Sequence, residues 1–206
     1  MRWQQLTTAI EDFQAIRGKT IEMADEFSDE QAVKCARTGA WSAAEVLDHI
    51  LRAEVVFRNY ERQALERAQA GETGTIRISF REVDTRLRPV PSRLMPLLTP
   101  VLFALHAVTP FAVRLFVMRR PGLVWADAPK IAQPIAGRGM AELRGNLAAE
   151  MHETVALFEG RLPKALRRVR AAHPLYGFND MAQVMRLMGA HEQRHQHQLR
   201  AILRRQ

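Results

Sequence analysis

Apolar residues recur at steps of three and four along four separate stretches of the chain, and each stretch predicts an amphipathic helix. Leu6, Ile10, Phe13, Ile16, Thr20, Ala24 and Phe27, with Glu11, Asp12, Arg17 and Lys19 between them, predict a first helix over residues 3 to 27. Val46, His49 or Ile50, Ala53, Val56 or Phe57, Tyr60 and Ala64 predict a second, running from Ser42 to about Ala68. Its start has a mechanism: Ser42 caps the amide three residues on, and Glu45 reaches back to complete a capping box. Met140, Leu143, Leu147, Met151, Val155 and Phe158 form a third stripe ending at Gly160, a residue suited to a helix C-terminus. The last helix, Met181 to Leu203, carries Val184, Met188, Leu199 and Ile202 and is capped by Asn179 or Asp180. Before it, Leu162 to Val169 reads as a short helix and His173 to Phe178 as a turn. Four long helices with one extended crossover describe an all-α four-helix bundle, a fold that builds metal sites from inward side chains of facing helices.

The crossover, about residues 71–137, holds eight of the ten prolines, so no long straight helix can fill it. Thr75 to Phe80 alternates but is short and solitary, and is expected to be loop or extended chain. From Leu94 to Met118 the composition turns apolar, with Arg114 the only formal charge. That length could span a bilayer, but Pro96, Pro100, His106, Pro110 and Arg114 interrupt it. One or two short apolar helices are expected instead, inserted between helices 2 and 3 to cover the bundle, form a subunit contact or line a pocket. Superficial membrane contact through residues 94–118 is a further reading. The surplus apolar surface also suggests a homodimer.

With 206 residues, 47% hydrophobic and 25% charged, the chain is expected to form a single domain over 1–206. Cys35 is the only cysteine, which excludes an internal disulfide and fits a reducing compartment. It is read as a buried or half-buried packer. Met1 to Leu6 lacks the apolar segment of a secretory signal, so a cytoplasmic location is expected. The net charge of +8 raises nucleic acid or an anionic membrane surface as partners. Arg161, Lys164, Arg167, Arg168 and Arg170 cluster, but no nucleic-acid motif accompanies them, and solvated helix faces explain such runs more simply.

The candidate chemistry lies in His191-Glu192-Gln193-Arg194-His195. Histidines four residues apart share one helix face, and their imidazoles can converge on one metal ion. The competing reading is a pair of core histidines, each satisfied by a hydrogen bond. His49, on or beside the inward face of the second helix, shifts the balance toward a metal. His152 lies one position off its stripe and reads as a surface or boundary residue, and His197 points away from the 191/195 face. The pentapeptide also matches H-E-x-x-H, in which the glutamate is the general base of a zinc peptidase. The peptidase context is missing, because position 198 is Gln where the extended form needs Gly, and position 201 is Ala where it needs His.

Trp41-Ser42-Ala43-Ala44-Glu45-Val46-Leu47-Asp48-His49 resembles the W-S-x-x-E-x-x-x-H helix start of the DinB-like (DinB/YfiT-like) superfamily. His173-Pro174-Leu175-Tyr176-Gly177 and His191-x-x-x-His195-x-x-Gln198-Leu199 resemble its closing segment, and Ala128-Pro129-Lys130 fits more loosely. The resemblance implies a four-helix bundle and a divalent metal, often nickel or zinc, held by His49, His191 and His195. It implies a metal-dependent enzyme acting on a small molecule. A thiol-dependent transferase that joins a low-molecular-weight thiol to an electrophile comes first, and a metal-dependent hydrolase second. The remaining reading is a non-catalytic metal-binding or stress-response module with a basic surface. Glu192 is the candidate catalytic residue, with Asp48 and Glu45 as further groups that would orient a ligand histidine or relay a proton.

Overall fold

The computed structural model describes residues 2–35, 39–78, 90, 94–123 and 127–205. In chain order its elements are α1 (Trp3–Asp25), α2 (Asp29–Val33), α3 (Ala43–Gln69), β1 (Gly74–Arg77), α4 (Met95–Val108), α5 (Phe111–Arg119), α6 (Met140–Ala156), β2 (Val169–His173), β3 (Gly177–Asn179) and α7 (Met181–Leu203). Short 3-10 turns cover Lys130–Ala132 and Lys164–Arg168.

The four periodic stretches fold as the four long helices α1, α3, α6 and α7; α3 starts on the capping box expected from the sequence, and α7 on Asp180, one of the two caps expected there. The N–H of Glu45 donates to Ser42 Oγ at 3.3 Å while the N–H of Ser42 donates to Glu45 Oε2 at 2.8 Å. Asp180 and Gln183 repeat the arrangement at α7, at 2.9 and 3.0 Å. Each pair satisfies two backbone donors that the first helical turn leaves without partners. α1 and α3 each pack against both α6 and α7, which closes the bundle. α1 and α7 approach closely at Gly189, where an added Cβ would lie 2.9 Å from Ile16 Cδ1.

Two segments, one expected as loop or extended chain and one as a turn, take part in a small three-stranded sheet. Thr75 to Arg77 lies in β1, which pairs in parallel with β2 in the register Gly74↔Val169 to Arg77↔Ala172. Ser79 and Phe80 lie outside the described residues. His173 to Phe178, expected as a turn, is the bend of a hairpin in which β2 pairs antiparallel with β3. The strands are too short to show periodicity, and β1 and β2 lie almost a hundred residues apart in sequence, so local pattern could not reveal their pairing. Between Leu162 and Val169 the chain forms the 3-10 turn Lys164–Arg168, which leads directly into β2. Cys35 is exposed, a correction to its reading as a packer. It follows α2, a one-turn helix that the polar composition of the connection concealed and that Ser28 caps through the N–H of Gln31.

The crossover insert folds as α4 and α5, bent by 113° at the break around Thr109 and Pro110. No single described helix is long and apolar enough to cross a membrane. α4 packs on β3, and α5 packs on α7. Arg114 donates to the carbonyl of Tyr176 and, at 3.0 Å, to Asn179 Oδ1, which clamps the insert onto the hairpin. Gly177 makes this possible: its φ is +71°, and a Cβ there would lie 2.6 Å from the Cβ of His106.

A polar layer divides the bundle interior. Leu6, Phe13, Phe57, Met181 and Met185 belong to one apolar cluster, and Met23, Leu47, Met140, Leu143 and Leu199 belong to another. Arg17, fully buried, sits between them on α1. Its Nε and Nη2 donate to the two oxygens of Glu192 at 2.8 and 2.9 Å, and its Nη1 reaches Glu54 Oε2 at 2.7 Å and the carbonyl of Leu147 at 2.8 Å. Thr20 donates to Glu192 at 2.5 Å, and Thr154 to Glu54 at 2.7 Å. Burial works against the Arg17 cation, but Glu192 and Glu54 outweigh it and hold its pKa above the ordinary arginine value. Removing one member of such a network leaves its partners charged in a dry interior, at a cost of about 3 to 5 kcal/mol. Arg17→Ala should therefore lower unfolding free energy by about that much in urea titrations, and a loss below about 1 kcal/mol would contradict the assignment.

Candidate metal centre

The site is built from one face of α7 and the first half of α3. The i, i+4 spacing stacks His191 and His195 on the side of α7 that faces α3, where His49 projects between them. The Nε2 of His191 lies 3.3 Å from Nε2 of His49 and 3.2 Å from Nε2 of His195. One ring nitrogen from each histidine lies within 4.8 Å of the others, and all three residues are buried. Two imidazole nitrogens bound to one tetrahedral ion at about 2.0 to 2.1 Å are separated by about 3.3 Å, so the observed spacing suits a shared cation.

Proton positions lead to the same conclusion. His49 Nδ1 lies 2.6 Å from the carbonyl of Ala132, which can only accept, so that nitrogen carries the proton. His195 Nδ1 faces Gln198 Oε1 at 3.1 Å, and with the amide in that orientation it carries its proton. Both Nε2 atoms are thereby left as lone pairs directed at Nε2 of His191, which has at most one proton to give. A neutral triad leaves at least one buried lone pair poorly satisfied, and a divalent cation satisfies all three.

Electrostatics keep the rings in the ligating form. Burial pushes the His49 pKa down to about 4, against a partial upward pull from the Ala132 carbonyl. Burial also holds His191 and His195 well below the ordinary histidine value, and the neighbouring histidines and Arg194 add to the effect.

Aromatic side chains wall the triad. Trp41 packs against His49 at a centroid distance of 4.8 Å and stacks on His195 at 6.4 Å. Phe57 lies 6.2 Å from His191 and stacks on Tyr176 at 6.0 Å, and Tyr176 stacks in turn on His173 at 4.3 Å. The hairpin therefore reaches the site through Tyr176.

The other sequence-predicted residues go elsewhere. Glu192 is one step of about 100° around α7 from His191, which turns it toward α1. Arg17 and Thr20 occupy both its oxygens, a task different from the expected proton relay and incompatible with the H-E-x-x-H general base. Glu45 serves the cap of α3. Asp48 acts one step removed from the triad: it accepts from the N–H of Ile135 at 2.7 Å and from Arg138, pinning the segment whose Ala132 carbonyl orients His49. Burial opposes the Asp48 carboxylate, but Ile135, Arg138 and Arg52 overcome it and hold its pKa below the ordinary value. His152 and His197 are exposed. Sequence reasoning missed the Ala132 carbonyl and the Phe57 and Tyr176 wall. The only signal for Ala132 was its place just beyond Ala128-Pro129-Lys130.

The family model of the DinB superfamily matches the chain over residues 12–199. No curated protein and no solved structure matches it.

His49→Ala should remove the bound metal, dropping the metal content measured by mass spectrometry from about one ion per chain to below about 0.1. Retention of the ion would exclude residue 49 as a ligand. The depressed pKa of His49 also has a pH signature. Unfolded histidine takes up a proton near pH 6.5 and the buried ring does not, so this group's contribution is intact above pH 6.5 and declines toward pH 4. In chelator-treated protein, urea titrations at pH 7.5 and 4.5 should differ less for His49→Phe than for the parent, by on the order of 2 to 3 kcal/mol. Equal differences would contradict the burial of a neutral ring.

Proposed function

The chain belongs to the DinB superfamily, and we propose that it is a divalent-metal-dependent enzyme that transfers a low-molecular-weight thiol to an electrophilic small molecule. The observation that carries this reading is the convergence of three neutral imidazole nitrogens, two with their protons fixed outward, on one buried point. Three nitrogen ligands leave one or more coordination positions for a reactant, the arrangement of catalytic rather than structural metal sites. Nickel or zinc held there would lower the pKa of a bound thiol until it is deprotonated.

This chain's own residues supply the rest. The Ala132 carbonyl and Gln198 fix two ring orientations, so the nitrogens are preorganised. Trp41, Phe57 and Tyr176 restrict water, which favours thiol attack over hydrolysis. Arg194 sits one residue before His195 and exerts a positive potential on all three histidines and on Tyr176. A cation beside the ligands favours an anionic reactant, either the thiolate itself or an acidic group on the thiol carrier.

The nickel- or zinc-loaded protein, given glutathione or cysteine and the electrophile monochlorobimane, should form thioether faster than the uncatalysed reaction. His195→Ala should lower the rate by at least about 100-fold. A rate equal in the loaded protein and in His195→Ala would overturn the transferase reading. Turnover of ester substrates without any thiol would instead establish the hydrolase.

A further inference from the structure

We infer that the α4–α5 insert attaches the protein to the surface of an anionic lipid bilayer, with the outer face of α4 seated among the acyl chains and flanking arginines on the headgroups. Every exposed position of α4 beyond Met95 is apolar: Leu97, Pro100, Val101, Ala104, Leu105, Ala107 and Val108. Leu97, Val101, Leu105 and Val108 follow steps of four, four and three, so they form one continuous stripe, with exposures of 71%, 62%, 55% and 78%. Val113 and Phe116 extend the apolar surface onto α5, at 48% and 52%. A stripe of this kind on a surface helix is the inverse of ordinary globular patterning, in which the outward face is polar.

The inward face anchors the insert to the bundle. Met95 and Met118 are buried, Phe103 packs on Phe178 at 5.2 Å, and Arg114 is bonded to the hairpin. The insert is thus fixed to the bundle by one side and presents the other. Its bend of 113° prevents the two helices from forming a straight span, and a helix pinned along one side lies in an interface rather than across it.

Charge selects the occupant. From Thr85 to Ala126 the sequence carries six arginines and no aspartate or glutamate, within a chain of net charge +8. Arg119 and Arg120 lie exposed at the end of α5, and Arg120 sits over the ring of Phe116 at 5.0 Å. Anionic headgroups attract this exposed pair by about 1 kcal/mol per basic residue near the surface. A second copy would bring the same cations against them. It would also bury little: a 14-residue helix is about 21 Å long, so two facing stripes roughly 10 Å wide cover on the order of 400 Å² together, well short of the roughly 1,200 Å² of a stable protein contact. The homodimer expected from the surplus apolar surface is therefore disfavoured at this face.

Co-sedimentation of the full chain with vesicles tests the inference. Vesicles containing about 30% phosphatidylglycerol should bind the protein at about 50 mM salt, and binding should fall at least about tenfold in pure phosphatidylcholine or at about 500 mM salt. Val101→Glu with Leu105→Glu, both at exposed positions, should weaken binding by at least about tenfold, with the metal content and circular dichroism unchanged. Arg119→Glu with Arg120→Glu provides a second variant that leaves the stripe intact, and the same loss is expected. Absence of wild-type binding to the anionic vesicles at low salt would overturn the inference, as would wild-type binding by both double variants. A concentration-dependent dimer that Val101→Glu with Leu105→Glu abolishes, without vesicle binding, would assign the face to a second copy instead.

Discussion

One turn of α7 sets the rotation on which the interior depends. His191 and His195 share one face of that turn, and Glu192 and Gln196 share the next, about 100° around the helix. The first pair meets His49 on α3. The second pair meets α1, where Glu192 receives Arg17 and Thr20, and Gln196 Nε2 donates to the carbonyl of Ile16 at 2.8 Å and to Thr20 Oγ1 at 3.0 Å. A rotation of α7 that displaced the imidazoles would also withdraw a carboxylate from a buried guanidinium. The ion pair and the triad therefore constrain the same degree of freedom from opposite sides.

This coupling gives a physical role to a costly feature. A buried ion pair adds little net stability over a well-packed apolar equivalent, because desolvation offsets the attraction. What it does supply is a penalty for alternatives. The two apolar clusters on either side of the polar layer could tolerate small slips between helices, since hydrophobic contact is not directional. Arg17 cannot, because it satisfies Glu192, Glu54 and the Leu147 carbonyl at once. Asp48 does the equivalent for the crossover, by holding the segment that presents the Ala132 carbonyl to His49. Ring placement then comes from α7, and ring orientation from the loop.

The sequence made the bundle legible because long stripes of period 3.6 and capping boxes are local signals. Ser42 with Glu45 marks one helix start within four residues, and Asn179 or Asp180 marks another. The three histidines were legible too, since spacing put two on one face and the motif around Trp41 supplied the third. Glu192 was not: adjacency to a ligand in sequence says nothing of which neighbour it meets, and its partner Arg17 is 175 residues away. The parallel pairing of β1 with β2 failed for the same reason. Arg17 itself looked like an ordinary polar residue between stripe positions, because nothing in a single helix shows that its polar side will face another helix.

Whether the three imidazoles from α3 and α7 hold one metal ion with room for a further ligand is decided by X-ray absorption spectroscopy of the protein as purified. Ligation by all three histidines gives a first shell with three imidazole nitrogens at about 2.0 to 2.1 Å and one or more additional light or sulfur scatterers. A spectrum with fewer than three imidazoles, or protein that binds neither nickel nor zinc when either is supplied, would contradict it.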